Sequence, residues 1–434
     1  RSYQGIKNLT SLERFTTYCW NKPYRNPYTS YYYYRDFKGD VLTELDLSGM
    51  KSLKYVQVVY GWRTDKGIRY DSGAKKINVS GCTSLQELYC SFYDGESFSS
   101  RLGEGFLESL DASGCTSLQK LYCSNQQLKE LNVKGCTALQ YLYCINCEMT
   151  ELDASGLTSL QKLLCQYGYN LTDLNLKGCT ALSYLDCGSN KLPELDLSEC
   201  TALQTLYCSE NKLTELDLSA NTDLAVVNCY SNQLARINVR NCPSLQQLWC
   251  YKNQLTALNL SNNTALKYLR CQNNRLQALD VGATRSLEVL RCEYNRLPLL
   301  DVVVNTSLKT GSNNNGDYCK FSPQNIDGLV AVRQADGTYA VNLRDYLAAK
   351  IKNVVANSIY AKDDDGKLHD PLSFNEKTGI AVFDTPPATV YYEYDTKFDK
   401  DSVKRYMGVT LAASGSPVIT TNSLPYATVG TLYA

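Results

Sequence analysis

Hydrophobic positions recur along most of this 434-residue chain with a period of 21. The stretch from Leu203 to Asp223 reads LQTLYCSENKLTELDLSANTD; the next two read LAVVNCYSNQLARINVRNCPS and LQQLWCYKNQLTALNLSNNTA. The shared template is L-x-x-L-x-C-x-x-N-x-L-x-x-L-x-L-x-x-(C/N)-x-x. Its register is marked by Cys90, Cys123, Cys144, Cys165, Cys187, Cys208, Cys229, Cys250, Cys271 and Cys292, in steps of 21 or 22 after a first step of 33. Leu and Cys of the L-x-C element are two residues apart, so both point to one face of a strand. One such turn cannot bury its apolar row alone, whereas stacked turns share a continuous core. Each buried Leu then contributes about 1.5–3 kcal/mol. Twenty-one residues leave no room for a long helix, so the pattern predicts parallel strands on one side and extended or 3₁₀ backbone on the other.

Three residues after the cysteine stands an asparagine: Asn190, Asn211, Asn232, Asn253, Asn274 and Asn295. It turns the chain out of the strand, and its amide is expected to bond backbone groups of the next turn. Repeat length, L-x-C strand and this asparagine together resemble the cysteine-ladder leucine-rich repeats of bacterial internalin-like surface proteins. The resemblance covers about residues 5–315. It implies a mainly β fold: a right-handed leucine-rich-repeat solenoid of about 13 turns, with parallel strands on the concave face and no long helices. It also implies a concave face that grips a host protein.

The 19 cysteines are about 4% of the chain, below the roughly 8–10% of disulfide scaffolds. Besides the L-x-C ladder from Cys90 to Cys292 there is a second one, Cys82, Cys115, Cys136, Cys179, Cys200 and Cys242, with Leu157, Asn221 and Asn263 in the same slot. Neighbouring rungs lie about 4.7–4.9 Å apart with parallel side chains. A disulfide needs Cβ atoms about 3.5–4.5 Å apart and converging. The ladders are therefore expected to hold unbridged thiols acting as small buried hydrophobes, which suits a reducing or anaerobic habitat. Cys147, three residues after Cys144, occupies the asparagine slot and does not form a redox motif. Cys19 and Cys319 fall outside both ladders. With His369 as the one histidine, no multi-histidine metal centre is possible. No cofactor or metal is implied, and no Cys–His nucleophile is supported.

Extended backwards, the register puts Val58 and Thr17 in the cysteine slot, which leaves insertions near 18–38, 59–73 and 92–105. All three follow the strand, so they should lie along one edge, and they are rich in aromatics. Trp20, Tyr24, Tyr28, Tyr32, Trp62 and Tyr93 are candidate loop contacts, against the alternative that the loops shield the first turns. The position before each cysteine points outward and reads Tyr89, Tyr122, Tyr143, Leu164, Asp186, Tyr207, Asn228, Trp249, Arg270 and Arg291. Flanking outward positions add Tyr141, Tyr184, Tyr268, Tyr230 and Tyr251. Strand propensity explains some of these aromatics. Tyr, Trp and Arg in such a row also form a candidate ligand-binding face.

After Leu308 the repeat decays, and the hairpin signal Asp336-Gly337 opens a small β domain over about 320–413. Val354–Tyr360, Ile380–Phe383, Thr389–Tyr394 and Met407–Leu411 read as further strands. This domain resembles the immunoglobulin-like module that follows the repeats in internalin-like proteins. Asp363-Asp364-Asp365-Gly366 reads as a hairpin turn, since it lacks the ligand spacing of a calcium loop. Residues 414–434 read as a linker and the truncated start of another such module.

Lysine plus arginine and aspartate plus glutamate each number 44, so no bulk charge draws the chain to nucleic acid or a membrane surface. No apolar run reaches the ~20 residues of a membrane span. The acids Asp46, Asp111, Asp153, Asp196 and Asp217 recur once per turn and read as a solubilising outer row. The expectation is a non-enzymatic, monomeric recognition or adhesion module of a bacterial cell surface or secreted protein. Its partner would be a host or environmental protein or a glycan. A structural spacer presenting other domains is the alternative, and part of a secreted hydrolase a remote one.

Overall fold

A computed structural model of the chain describes residues 9–18, 24–25, 32–33, 43–59, 64–65, 68–69, 74–90, 107–309, 319–321, 324–327, 329–347, 353–400 and 403–412. The chain forms two compact units, Arg1–Gln233 and Leu234–Ala434. It is mainly β, a leucine-rich-repeat solenoid with parallel strands. Helix among the described residues is limited to short segments such as Arg344–Leu347 and the 3₁₀ turn Ala356–Ser358.

In the first unit, parallel strands follow the repeat: Arg14–Tyr18, Tyr55–Val59, Glu87–Tyr89, Lys120–Tyr122, Tyr141–Tyr143, Lys162–Leu164, Tyr184–Asp186, Thr205–Tyr207 and Val226–Asn228. The middle leucines stack in register, Leu121 on Leu142, Leu142 on Leu163, Leu185 on Leu206, and each is fully buried. The register also pairs Thr17 with Val58, the slots assigned by extending the repeat backwards. A second, shorter parallel sheet joins Glu44–Asp46, Lys76–Asn78, Ser109–Asp111 and Glu130–Asn132 on the other side of the turns. The acids at the ends of such segments do more than solubilise. The Oδ1 of Asp46, Asp111, Asp153, Asp196 and Asp217 each accepts from the backbone N–H two residues on, closing an Asx turn.

The ladder cysteines differ from expectation in one respect: the paired strand stops one residue short of them. Glu87–Tyr89 ends just before Cys90, and Val226–Asn228 just before Cys229. After Cys229 the left-handed exit at Ser231 pulls the chain off the ladder, so the cysteine keeps the inward direction and only part of the pairing. The Cys90 N–H still donates to the Tyr122 carbonyl at 2.7 Å, and the Cys208 N–H to the Asn228 carbonyl at 2.8 Å. Burial is as expected. Cys90, Cys123, Cys187, Cys208 and Cys229 in the first unit are completely inaccessible, Cys144 and Cys165 nearly so, and Cys250, Cys271 and Cys292 match them in the second. All 18 described cysteines are buried thiols outside any disulfide.

The two recurring polar slots stitch turn to turn. Asn211 Nδ2 donates to the carbonyls of Cys208 in its own turn and Cys187 in the preceding one, and its Oδ1 accepts from the Leu192 N–H. The bonds run to the preceding turn rather than the next, because the side chain leaves the strand toward the carbonyls already laid down. Cys147 reproduces one of them, its Sγ donating to the Cys123 carbonyl at 3.3 Å. In the second ladder, the Sγ of Cys115 and Cys136 donates to the carbonyls of Val79 and Ala112, each at 3.1 Å. Asn221 fills that slot with a stronger donor, bonding Leu197 and Cys200 carbonyls. Cysteine and asparagine interchange there because both present a buried donor.

Two residues after the ladder cysteine, the backbone turns left-handed at a non-glycine residue in turn after turn: Asn125, Asn146, Tyr167, Ser189, Glu210 and Ser231 in the first unit. This sharp exit precedes the buried slot filled by Gln126, Cys147, Asn190 and Asn211. Within the insertions, Tyr24–Arg25 pairs antiparallel with Tyr32–Tyr33, and Thr64–Asp65 with Ile68–Arg69.

In the second unit, Gln247–Trp249, Tyr268–Arg270 and Val289–Arg291 continue the same parallel pattern. The repeat geometry then runs on past Leu308. Lys320 bridges in parallel to Arg291, Phe321 is buried, and Gln324 Nε2 donates to the Cys292 carbonyl at 2.8 Å. Cys319, Phe321 and Gln324 thus stand where leucine, cysteine and asparagine stand elsewhere. The remaining residues form two sheets. One contains Gln324–Asp327, Val403–Ala412, Thr389–Lys400, Tyr360–Lys362 and Leu368–His369, in that spatial order. The other contains Ala331–Arg333, Tyr339–Asn342, Ile380–Phe383 and Ser373–Asn375. The expected strand over 354–360 is largely replaced by the 3₁₀ turn. There Ser358 Oγ donates to the Val355 carbonyl and accepts from the Glu393 N–H, so the side chain outcompetes the ladder. The first sheet rests on the last turn of the repeats: Tyr392 Oη donates to the Pro298 carbonyl at 3.0 Å, and the Val302 N–H to the Thr396 carbonyl at 3.1 Å. Asp363 closes the hairpin turn, its Oδ1 accepting from the Lys367 N–H and its Oδ2 2.9 Å from His369 Nε2.

Candidate functional site

Strand alternation buries the leucine and cysteine of each L-x-C element and turns the intervening residue outward. Tyr89, Tyr122, Tyr141, Tyr143, Tyr184, Tyr207 and Tyr230 in the first unit are all half-buried, as are Trp249, Tyr251, Tyr268, Arg270 and Arg291 in the second. Among the expected loop contacts, Trp20, Tyr28, Trp62 and Tyr93 lie outside the described residues, and Tyr24 and Tyr32 lie in the paired segments of the first insertion.

The tyrosines of the early turns are engaged with one another. Tyr89 stacks on Tyr122 at 4.9 Å between centroids, and Tyr122 meets Tyr143 edge-on at 4.7 Å. Tyr55, one strand earlier, joins the row at 5.5 Å from Tyr89. It stands three residues before Val58, an outward position in the same register as Glu87. Tyr89 Oη donates to Glu87, which also accepts from Lys120 Nζ at 3.0 Å. That pairing holds the Glu87 carboxyl below its usual range, while burial pushes the Tyr89 hydroxyl well up. This part of the face is a closed aromatic pavement.

Further along the first unit the pavement opens into a recess of about 430 Å³. Its floor comes from the strands Tyr184–Asp186, Thr205–Tyr207 and Val226–Asn228 and the turns that follow them. The residues after Cys187 and Cys208 are small, Gly188 and Ser209, and both line the recess. A Cβ on Gly188 would meet the Ser209 carbonyl at 3.3 Å and Asp186 Oδ1 at 3.4 Å, so this glycine admits the close approach of two turns. Tyr167, Tyr184, Tyr207 and Tyr230 supply aromatic walls. Asp186 lies among them, accepting from the Gly188 N–H at 3.1 Å. Burial pushes its carboxyl up to about 6, against the opposing pull of that N–H and of Lys162. Gln166 and Asn228, each 7% exposed, also line the recess, and the side-chain oxygens Gln166 Oε1 and Asn228 Oδ1 have no hydrogen-bond partner. Glu210 stands at the rim and accepts from Ser189 Oγ at 2.6 Å.

The sequence placed Tyr184, Tyr207 and Tyr230 among the candidates, and the structure gathers these three with Asp186 into one concavity. It does not bring Tyr89, Tyr122, Tyr141 or Tyr143 to the recess. Asp186 and Asn228 were visible as breaks in the aromatic row, and the signal that could have marked them was a small residue two positions beyond the acid. In the second unit the face is cationic. Arg270 lies over the Trp249 ring with its guanidinium 5.0 Å from the centroid, and Arg291 Nε donates to Glu293 at 3.1 Å. Burial and the neighbouring Arg291 pull the Arg270 guanidinium below its usual range.

The ladder thiols offer no nucleophile. Burial pushes Cys115, Cys136 and Cys250 up to about 12 and holds Cys123, Cys144 and Cys208 well above the usual thiol range, so they stay protonated. Cys90 and Cys229, at the two ends of the first unit's ladder, are sealed from solvent in the same way. Among the described residues no group of three histidine, cysteine or acidic side chains is placed to hold a metal ion, and no helix is long and apolar enough to cross a membrane.

No protein-family model and no curated protein matches the chain. Solved structures do. The functional domain of InlJ from Listeria monocytogenes, which includes a cysteine ladder, is 22% identical with a TM-score of 0.41, over 86% of this chain and 91% of that one. An internalin, InlF, from Listeria monocytogenes is 20% identical with a TM-score of 0.43, over 62% and 72%. YopM, a leucine-rich effector protein from Yersinia pestis, is 20% identical with a TM-score of 0.37, over 53% and 72%.

Proposed function

We propose that this chain is a non-catalytic recognition module of a bacterial surface or secreted protein, which holds its ligand on the outward strand face. The observation that carries this reading is the Asp186 recess. Buried side-chain oxygens without partners are rare in folded proteins, because each forfeits its hydration. Two of them lie in one concavity among four tyrosines. A ligand that brings donors to this concavity, and meets these oxygens after a small side-chain shift, recovers that loss, which favours binding over mere packing. The buried thiols and the stacked tyrosines of the early turns give the scaffold a packed interior and a packed outer row. We read the two C-terminal sheets as an immunoglobulin-like closing domain, supported by the bonds from Tyr392 and to Thr396 at the last turn.

The test is a screen of the 434-residue chain against an array of glycans and extracellular proteins, with a Tyr143/Tyr207/Trp249→Ala variant alongside. A partner bound by the parent and lost by the folded variant supports recognition through this face. Binding that survives all three changes, or no partner at all, transfers the role to a spacer that presents other domains.

A further inference from the structure

We propose that the recess around Asp186 is a socket for a guanidinium group, the side chain of an arginine on a basic segment of a partner protein. The inference rests on the recognition reading above and names the chemistry of its ligand.

The charged groups lining the recess are acceptors, set among tyrosine and serine hydroxyls that donate as well as accept. Asp186 contributes a carboxylate, Glu210 another at the rim, and Gln166 Oε1 and Asn228 Oδ1 are acceptors with no donor. A guanidinium is the complementary object: five N–H donors in a planar fork and no acceptor. A sugar is a poorer match for unsatisfied acceptors, since every hydroxyl it brings is donor and acceptor at once. The planar fork can address separated acceptors together, which the compact ammonium of lysine does less well.

The walls fit the same cation. Tyr184, Tyr207 and Tyr230 present rings whose faces attract positive charge. This face already uses that chemistry within the chain: Lys162 Nζ lies 4.4 Å from the Tyr184 ring centroid, and its charge partly offsets that of Asp186. Two carboxylates against this one ammonium leave the recess negative at neutral pH. Its depth keeps it partly shielded from bulk water, where ion pairing and ring contacts both count for more.

The test titrates the whole chain with N-acetyl-Gly-Arg-Gly-amide and with the same peptide carrying citrulline, which keeps the shape and removes the charge. Ligand-observed NMR reads saturation, and thermal melting checks the fold of each variant. The arginine peptide is expected to saturate on the order of millimolar, with the citrulline peptide about tenfold weaker or worse. Asp186→Asn, which is isosteric, is expected to weaken the arginine peptide about tenfold without lowering the melting temperature, and Tyr207→Leu to weaken it by several-fold. Equal binding of the two peptides, no saturation by the arginine peptide, or full affinity in Asp186→Asn would each overturn the assignment. Saturable binding of a neutral oligosaccharide that Tyr207→Leu weakens and Asp186→Asn does not would overturn it too, while leaving the recognition reading standing. The recognition reading fails separately, on an array partner indifferent to the strand face.

Discussion

Asn211 reaches back one turn and donates from Nδ2 to the Cys187 carbonyl at 3.0 Å. The same side chain bonds the Cys208 and Ser209 carbonyls and the Leu192 N–H, so one buried residue satisfies four backbone groups in two turns. Asn211→Leu removes all four bonds without leaving a void. We expect a loss of roughly 2–4 kcal/mol in urea unfolding, with hydrogen exchange at the Leu192 amide accelerated ahead of its neighbours. An unchanged midpoint would refute the stitching role.

The two cysteine ladders should differ in what they tolerate. Cys136 donates from Sγ to the Ala112 carbonyl, in a slot that asparagine fills at 221 and 263. Cys208 is fully buried beside Leu206 on the apolar side of its strand. Cys136→Asn is therefore expected to change stability by less than about 1 kcal/mol, and Cys208→Asn to cost about 3 kcal/mol or more through burial of an unpaired amide. Paired melting curves distinguish the two.

The thiols should be silent until the chain opens. All 18 described cysteines are buried, and burial holds Cys165, Cys271 and Cys292 well above the usual thiol range. A chromogenic disulfide reagent at neutral pH should label them only as fast as the chain opens, with full labelling in denaturant. Rapid stoichiometric labelling of the folded protein would contradict the packing.

Stability should depend on pH through Asp186. Its neighbours are Lys162 on the preceding strand, Tyr184 on its own, Tyr207 on the next and Tyr167 on the preceding turn. Burial raises its folded value to about 6 from an ordinary 3.8, so the folded state favours the neutral acid. Below about pH 4 the group is neutral in both states and no penalty applies; the penalty grows between about pH 4 and 6 and is complete above that. Asp186→Asn should accordingly raise stability near pH 7 by about 1–2 kcal/mol, allowing for screening at the open mouth, and change nothing near pH 4. The opposite trend would place the carboxylate in a stabilising contact.

Tyr392 should anchor the C-terminal sheet. Its side chain is fully buried and its hydroxyl bonds the Pro298 carbonyl. Tyr392→Phe leaves that carbonyl without its donor and is expected to cost about 1–2 kcal/mol, read as a lower melting temperature.

The solenoid was legible because a 21-residue period in leucine, cysteine and asparagine has one economical physical solution, and even Thr17 and Val58 fell into register without a cysteine. Burial of Cys90 and Cys229 followed from the same period, whereas the early end of their strands did not; beyond Cys229 it is set by the left-handed turn at Ser231. Two larger features hid. The rung at Cys319, Phe321 and Gln324 keeps the geometry while changing every residue that marks it. The recess depends on Gly188 and Ser209 following an acid and a tyrosine across adjacent turns, a relation invisible along a single strand. The 3₁₀ turn at Ala356–Ser358 was lost to the apolar run around it, since a serine bonding its own backbone leaves little trace in hydrophobic pattern.

Because the asparagine bonds reach back a single turn, a unit of 21 residues can be duplicated or excised in frame and every donor still finds an equivalent carbonyl. Length becomes a quantity that recombination can adjust, each added unit contributing its own increment to the whole. The Asp186 recess draws on the turns between Gln166 and Tyr230, so such events elsewhere would lengthen or shorten the scaffold and carry the socket along intact.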